Sequence, residues 1–198
     1  MTTTSVLRLE HVTLDRRTGH TVVRALDDLT LEVGAGELVA LMGPSGSGKT
    51  SVIDVACGIA EPTHGTVALD GEALATGDRA GWRRRRRRDI GVVHQRLDLL
   101  PGLSVLDNVA LPLLLDRQGV RGAHDRARQA LARVGLDDVV DRPVEDLSGG
   151  QRQRAAIARA VVGERRLLLA DEPTAALAAE TAEQVVEPLA RLAGEGVW

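Results

Sequence analysis

Residues 38–50 read LVALMGPSGSGKT, an apolar run delivered straight into a glycine-rich turn. Gly43, Pro44, Ser45, Gly46, Ser47, Gly48, Lys49 and Thr50 satisfy G-x-x-x-x-G-K-[ST], a pattern whose chemistry dictates its local fold. The glycines let backbone N–H groups close around phosphate oxygens, and a helix N-terminus behind the turn adds its positive dipole end. A buried strand is therefore expected at 38–42. A helix is expected at 49–60, with Val52, Ile53, Val55, Ala56 and Ile59 on its apolar face. Lys49 is placed to reach the β- and γ-phosphates of a nucleotide and the Thr50 hydroxyl to ligate Mg2+, with Ser51 next in the same cradle. The implied ligands are ATP and Mg2+.

Composition sharpens the reading of Lys49. Of 25 basic residues it is the only lysine. Such a bias fits a GC-rich genome that replaces Lys with Arg wherever either serves. A retained lysine then marks a place where a planar guanidinium cannot stand in for a compact ammonium. A net charge of −3 argues against a nucleic-acid binder. The single cysteine, Cys57, excludes an internal disulfide and reads as a small buried apolar residue. No stretch approaches the roughly 18 apolar residues of a membrane span, and residues 1–10 lack a signal-peptide core. The expectation is a cytoplasmic chain whose membrane role, if any, comes through a partner.

The rest of the chain alternates strand and helix signals. Residues 6–14 and 21–33 read as strands between turn residues, and 66–70 as a further strand. Residues 90–93 are strand-like after six consecutive arginines at 83–88, which read as a solvated face in preference to a nucleic-acid or lipid patch. Residues 103–115, 123–134 and 151–162 look helical, with Pro112 expected to kink or restart the first. Another buried strand is expected at 166–170 and a closing helix at 179–193. Alternation of this kind implies an α/β fold with a mainly parallel sheet. The helix-rich stretch, about 97–160, reads as an inserted helical subdomain.

A phosphate loop needs a second Mg2+ contact and a group to position the attacking water. The run LLLADE at 167–172 offers both where a buried strand ends, the place where ligands bind in open α/β sheets. Asp171 is the Mg2+-side carboxylate and Glu172 the general base toward water.

A second glycine-rich turn, LSGGQRQR at 147–154, lies 100 residues from the first, counted from Gly48 to Ser148. One nucleotide does not need two cradles from one chain. With GPSGSGKT, Gln95 after a strand, and LLLADEPT in this order, the chain resembles the ATP-binding-cassette ATPases over essentially its whole length. Within them, SVLDNVALPL at 104–113 and EPTHGTV at 61–67 look most like the lipoprotein-releasing and macrolide-exporter group.

The resemblance implies a P-loop NTPase core of RecA-like type, with an N-terminal antiparallel β subdomain and the helical insertion. It implies that Ser148, Gly149, Gly150 and Gln151 contact the γ-phosphate of ATP held by a second cassette, most simply a homodimer. Gln95 becomes the residue that senses Mg2+ and water. A membrane permease docks beside it, so the cassette lies on the inner face of the cell membrane.

Three departures from the family pattern stand out. No aromatic residue precedes the phosphate loop, and the adenine-stacking position falls near Arg16, whose planar guanidinium can stack on a base. The motif S-A-L-D after E-P-T is here Ala175, Ala176, Leu177, Ala178. None of the five histidines lies beyond residue 124, where the family places a switch histidine after one more strand. The expectation is a single domain over 1–198 that stops before that strand and hydrolyses ATP slowly. Two alternatives are a cassette that binds ATP with little hydrolysis and one half of a soluble tandem-cassette ATPase. A repair-type ATPase head would need a long coiled coil between the two glycine turns, for which 100 residues leave no room.

Overall fold

The computed structural model describes residues 5–19, 21–74 and 77–173. The Ala175–Ala178 tetrapeptide and the helix expected at 179–193 lie outside them. The chain divides into two compact units, the first ending at Arg86 and the second beginning at Arg87.

The first unit is built on an antiparallel sheet of order β2-β1-β3-β4. Its strands are β1 (Ser5–Thr18), β2 (Thr21–Gly34), β3 (His64–Leu69) and β4 (Glu72–Ala73). In β1, Leu7 and Leu9 face the core with strand periodicity, and a register shift between Leu9 and Val12 re-phases the pattern so that Val12 and Leu14 are buried too. The shift is closed by polar contacts: His11 Nδ1 lies 2.8 Å from Asp28 Oδ1, and Thr13 Oγ1 accepts from the Asp28 amide at 3.2 Å.

Helix α1 (Lys49–Ala56) begins where the glycine pattern predicts but stops four residues short of the expected 49–60. Gly58 takes φ +67°, its N–H donates to Val55 O at 3.0 Å, and the Ile59 N–H donates to Asp54 O at 2.8 Å. These two bonds form a Schellman motif, which ends a helix at a left-handed glycine. Ile59 therefore leaves the apolar face and is exposed. Cys57, at the helix end, is buried, and burial pushes its thiol pKa up.

The strand expected at 38–42 is not formed: residues 37–44 carry no regular secondary structure, and Leu38 and Met42 are 63% and 93% exposed. An apolar run becomes a strand only where a ladder partner meets it, and the described residues of this unit pair only among β1 to β4.

Helix α2 (Arg79–Arg88) carries the arginine run, with Trp82 buried. The run is less free than a solvated face. Arg85 pairs with Glu72, and Arg86 Nη1 donates to Cys57 O at 3.3 Å and Gly58 O at 3.2 Å. In the second unit, Arg87 and Arg88 both meet Asp116, at 3.0 and 3.5 Å.

The second unit pairs β5 (Ile90–Val93) in parallel with β6 (Leu167–Ala170), residue for residue from Ile90 with Leu167 to Val93 with Ala170. Around the pair stand α3 (Val105–Leu115), α4 (Val120–Arg133) and α5 (Gly149–Val161), whose Val105, Val109, Leu131 and Ile157 are fully buried in one core. Helix α3 runs through Pro112 instead of restarting there, and Ser104 caps it by accepting from the Asp107 amide at 3.0 Å. Buried Asn108 accepts from Leu100 N–H at 2.7 Å and donates to Leu100 O at 3.0 Å, which pins the loop leading into α3.

The Gly58 position gives a stability test. A Cβ there would lie 2.0 Å from the Trp82 ring and on a left-handed backbone. Gly58→Ala is expected to cost about 2–4 kcal/mol, read as a lowered urea midpoint, and Trp82→Leu in the same chain should recover part of the loss.

Candidate functional site

The phosphate loop belongs to the first unit. Gly48 is the N-cap of α1 at φ +95°, and a Cβ on it would lie 2.6 Å from Ala25 O. Only glycine fits. As a cap it offers no side-chain acceptor to the first-turn amides, which suits an external anion at the positive end of the helix. Val52 N–H closes the first turn on Gly48 O at 2.9 Å, and Ser47 N–H closes the preceding turn on Pro44 O at 3.2 Å. The Lys49 side chain folds back over the loop, with Nζ donating to Gly43 O at 2.9 Å and Pro44 O at 2.8 Å. Residues Gly43 to Ser47 are exposed, and Ser51 is buried under the helix start. Arg16 lies on β1 with its guanidinium engaged: Nη2 meets Asp54 Oδ2 of α1 at 2.6 Å.

Gln95, Asp171 and Glu172 belong to the second unit. The two strands end side by side because β5 and β6 are parallel and in register. Asp171 continues the ladder, its N–H donating to Val93 O at 2.9 Å. Glu172 then turns sharply, at φ +47°, a left-handed conformation that costs a non-glycine residue about 1–3 kcal/mol. Gln95 follows β5 in a turn of its own, and its Nε2 donates to Glu172 Oε2 at 2.9 Å. Two residues 77 positions apart in sequence thus meet through one hydrogen bond.

The second glycine turn caps α5. Ser148 Oγ accepts from the Gln151 amide at 3.2 Å, and the Ser148 amide donates to Gln151 Oε1 at 2.9 Å, a complete capping box. This is why α5 starts two residues before the expected 151. A Cβ on Gly149 would meet nothing within 4 Å among the described residues, so packing among them does not require glycine there.

Arg159, near the far end of α5, was invisible to motif reading. Its Nη1 and Nη2 donate to Asp98 O and Leu97 O, both at 2.6 Å. The only sequence signal was a basic residue inside an alanine-rich helical stretch.

The ABC transporter family model matches residues 26–175. The chain belongs to this family. Among relatives, the lipoprotein-releasing system ATP-binding protein LolD of Chromohalobacter salexigens is 42% identical over 190 residues, covering 96% of this chain and 80% of that protein. The macrolide export ATP-binding/permease protein MacB of Salmonella typhimurium is 38% identical over 193 residues, covering 98% of this chain but 30% of that longer protein. The dimeric ABC transporter cassette MJ0796 superposes with TM-score 0.86 at 35% identity, covering 96% of this chain and 83% of that one. A second MJ0796 structure, a post-hydrolysis state bound to ADP and Pi, superposes with TM-score 0.87. The fold is that of an ABC ATPase cassette, a P-loop NTPase with an antiparallel β subdomain.

The capping box makes a quantitative statement about this cassette. Ser148→Ala should lower stability by about 1 kcal/mol and Ser148→Asn by much less. Lys49→Ala, which removes an ammonium bonded to the loop carbonyls of Gly43 and Pro44, should change it by less than about 0.5 kcal/mol. Urea unfolding followed by circular dichroism separates the three.

Proposed function

We propose that this chain is the ATP-binding and ATP-hydrolysing subunit of an ABC transporter, and that two copies close around two ATPs to drive a membrane permease. The observation that supports hydrolysis best is the contact between Gln95 and Glu172 at the ends of two parallel strands. It brings a carboxylate able to accept a proton from water against an amide able to orient that water.

The residues of the loop fit a nucleotide by their chemistry. Gly48 and the uncapped start of α1 offer N–H groups, and Lys49 supplies the ammonium. Gly43, Pro44, Ser45, Gly46, Ser47, Thr50 and Ser51 complete the phosphate cradle. Arg16 is the candidate adenine contact, already steadied by Asp54. The Thr50 hydroxyl and the Asp171 carboxylate, with the Gln95 amide oxygen, are hard oxygen donors of the kind Mg2+ takes alongside phosphate oxygens and water. Bound there, Mg2+ would neutralise phosphate charge.

Ser148, Gly149, Gly150 and Gln151 are assigned to the partner cassette's nucleotide. The open space at Gly149 among the described residues favours this, since backbone N–H groups at a helix N-terminus can approach an external phosphate closely. Among the described residues no helix is long and apolar enough to cross a membrane. Attachment to the inner face of the membrane is therefore assigned to the permease.

Calorimetry should find Mg-ATP binding that Lys49→Ala weakens by about tenfold or more, equivalent to about 1.4 kcal/mol, with the nucleotide-free melting temperature unchanged. Equal affinity in both proteins would overturn the loop assignment. Glu172→Gln keeps an oxygen to accept the Gln95 hydrogen bond but loses its basicity. It should accumulate a dimer at saturating ATP in light scattering, and only monomers there would remove the two-copy arrangement.

A further inference from the structure

Helix α5 buries Ala155, Ala156, Ile157, Ala158, Ala160 and Val161, and Arg159 between them in sequence is half-buried. What its guanidinium holds is specific. Burial pushes its pKa down and Asp98 counteracts the shift, and an arginine side chain stays protonated in any case. Its two terminal nitrogens each donate at 2.6 Å, one to Asp98 O and one to Leu97 O. Both acceptors belong to residues held at left-handed φ, +60° for Leu97 and +47° for Asp98. Side-chain-bearing residues rarely take that conformation twice in succession without support. The turn's internal bonds are short-range ones, from Leu97 N–H to His94 O at 2.9 Å and from Asp98 N–H to Arg96 O at 2.7 Å. Gln95 sits inside this turn, and its amide meets Glu172.

We propose that Arg159 is a positioning residue: its forked guanidinium clamps the strained turn at 94–98 and so holds Gln95 against Glu172. The fork matters more than the charge. Two adjacent carbonyls match two donors of a rigid plane, whereas a lysine ammonium is a point charge on a flexible stem. With only one carbonyl engaged, Leu97 and Asp98 relax toward ordinary backbone angles, and the Gln95 side chain two residues upstream loses its aim. The same helix begins at the Ser148 cap, so the clamp is also a rigid link from the second glycine turn to Gln95. The catalytic part of this inference rests on the reading of Glu172 as the general base; the clamp itself does not.

The test uses Arg159→Lys in the full chain, with Arg159→Gln read the same way should the lysine variant fail to fold. In nucleotide-free protein, NMR hydrogen exchange at the Leu97 and Asp98 amides should accelerate about tenfold or more while Ile157 and Leu131 keep their rates. The Gln95 side-chain amide signals should shift as they do in Glu172→Ala. Unchanged exchange at 97 and 98, unmoved Gln95 signals, or equal acceleration at Ile157 would each overturn the clamp. In steady-state hydrolysis, Arg159→Lys should lower kcat about tenfold with KM for ATP unchanged, but less than about twofold once Gln95→Ala is present. Equal losses in both backgrounds would show that Arg159 does not act through Gln95. A wild-type chain without Lys49-dependent hydrolysis would refute the ATPase reading, and the exchange measurement would still decide the clamp.

Discussion

The parallel ladder between β5 and β6 is the constraint on which the meeting of Gln95 and Glu172 depends. Four paired residues, Ile90 to Val93 against Leu167 to Ala170, fix where two distant segments end, to within one hydrogen bond. Parallel strands put like ends together, so whatever follows Val93 must stand beside whatever follows Ala170. A one-residue slip would send the side chains of β6 to the opposite face. The beginnings of the strands are fastened as well. Arg166 and Leu167 donate N–H bonds to Asp89 O at 2.7 and 3.0 Å, and the buried guanidinium of Arg165 donates to Arg87 O. The pair is short, and its register is held from both sides.

Polar backbone capture recurs through the second unit. Asn108 holds the Leu100 peptide, Arg154 donates to Val134 O at 2.9 Å and Gly135 O at 3.0 Å, and Arg159 holds Leu97 and Asp98. Each of these side chains reaches from a helix to carbonyls in a loop with few ladder bonds of its own. Peptide groups left without partners away from water are costly. A side chain anchored on a packed helix satisfies them and fixes the loop's conformation at once. In a chain with a single lysine this work falls mainly to arginine, whose planar fork spans two neighbouring carbonyls.

Much of this was legible in the sequence, for identifiable reasons. The start of α1, the two N-terminal strands, β5 and β6 follow from period and punctuation. The glycine pattern located the loop because its φ requirement is strict at Gly48. Helix ends were harder to read. Gly58 stopped α1 early through a motif that shows only in how the chain folds back, and Ser148 started α5 early through its reciprocal bond with Gln151. The apolar run 38–42 misled because periodicity reports hydrophobicity and not the presence of a partner strand. The arginine run misled in the other direction: charge density suggested a solvated surface, while partners remote in sequence, such as Glu72, Asp116 and the carbonyls at 57 and 58, engage four of its members. The role of Arg159 is not written in the sequence, because its acceptors are backbone atoms, which no residue pattern records.

The solitary lysine has a practical side. Lys49 carries the only side-chain primary amine in the sequence, and its ammonium lies across the exposed loop from Gly43 to Ser47. Acylating reagents, amine-directed fluorophores and amine-coupled sensor surfaces therefore have a single side chain to attack, in the middle of the phosphate cradle. Labelling that is scattered and harmless on a lysine-rich protein becomes site-directed here, and routine immobilisation would block the loop it was meant to study. The thiol offers no substitute handle in the folded chain, because Cys57 is buried.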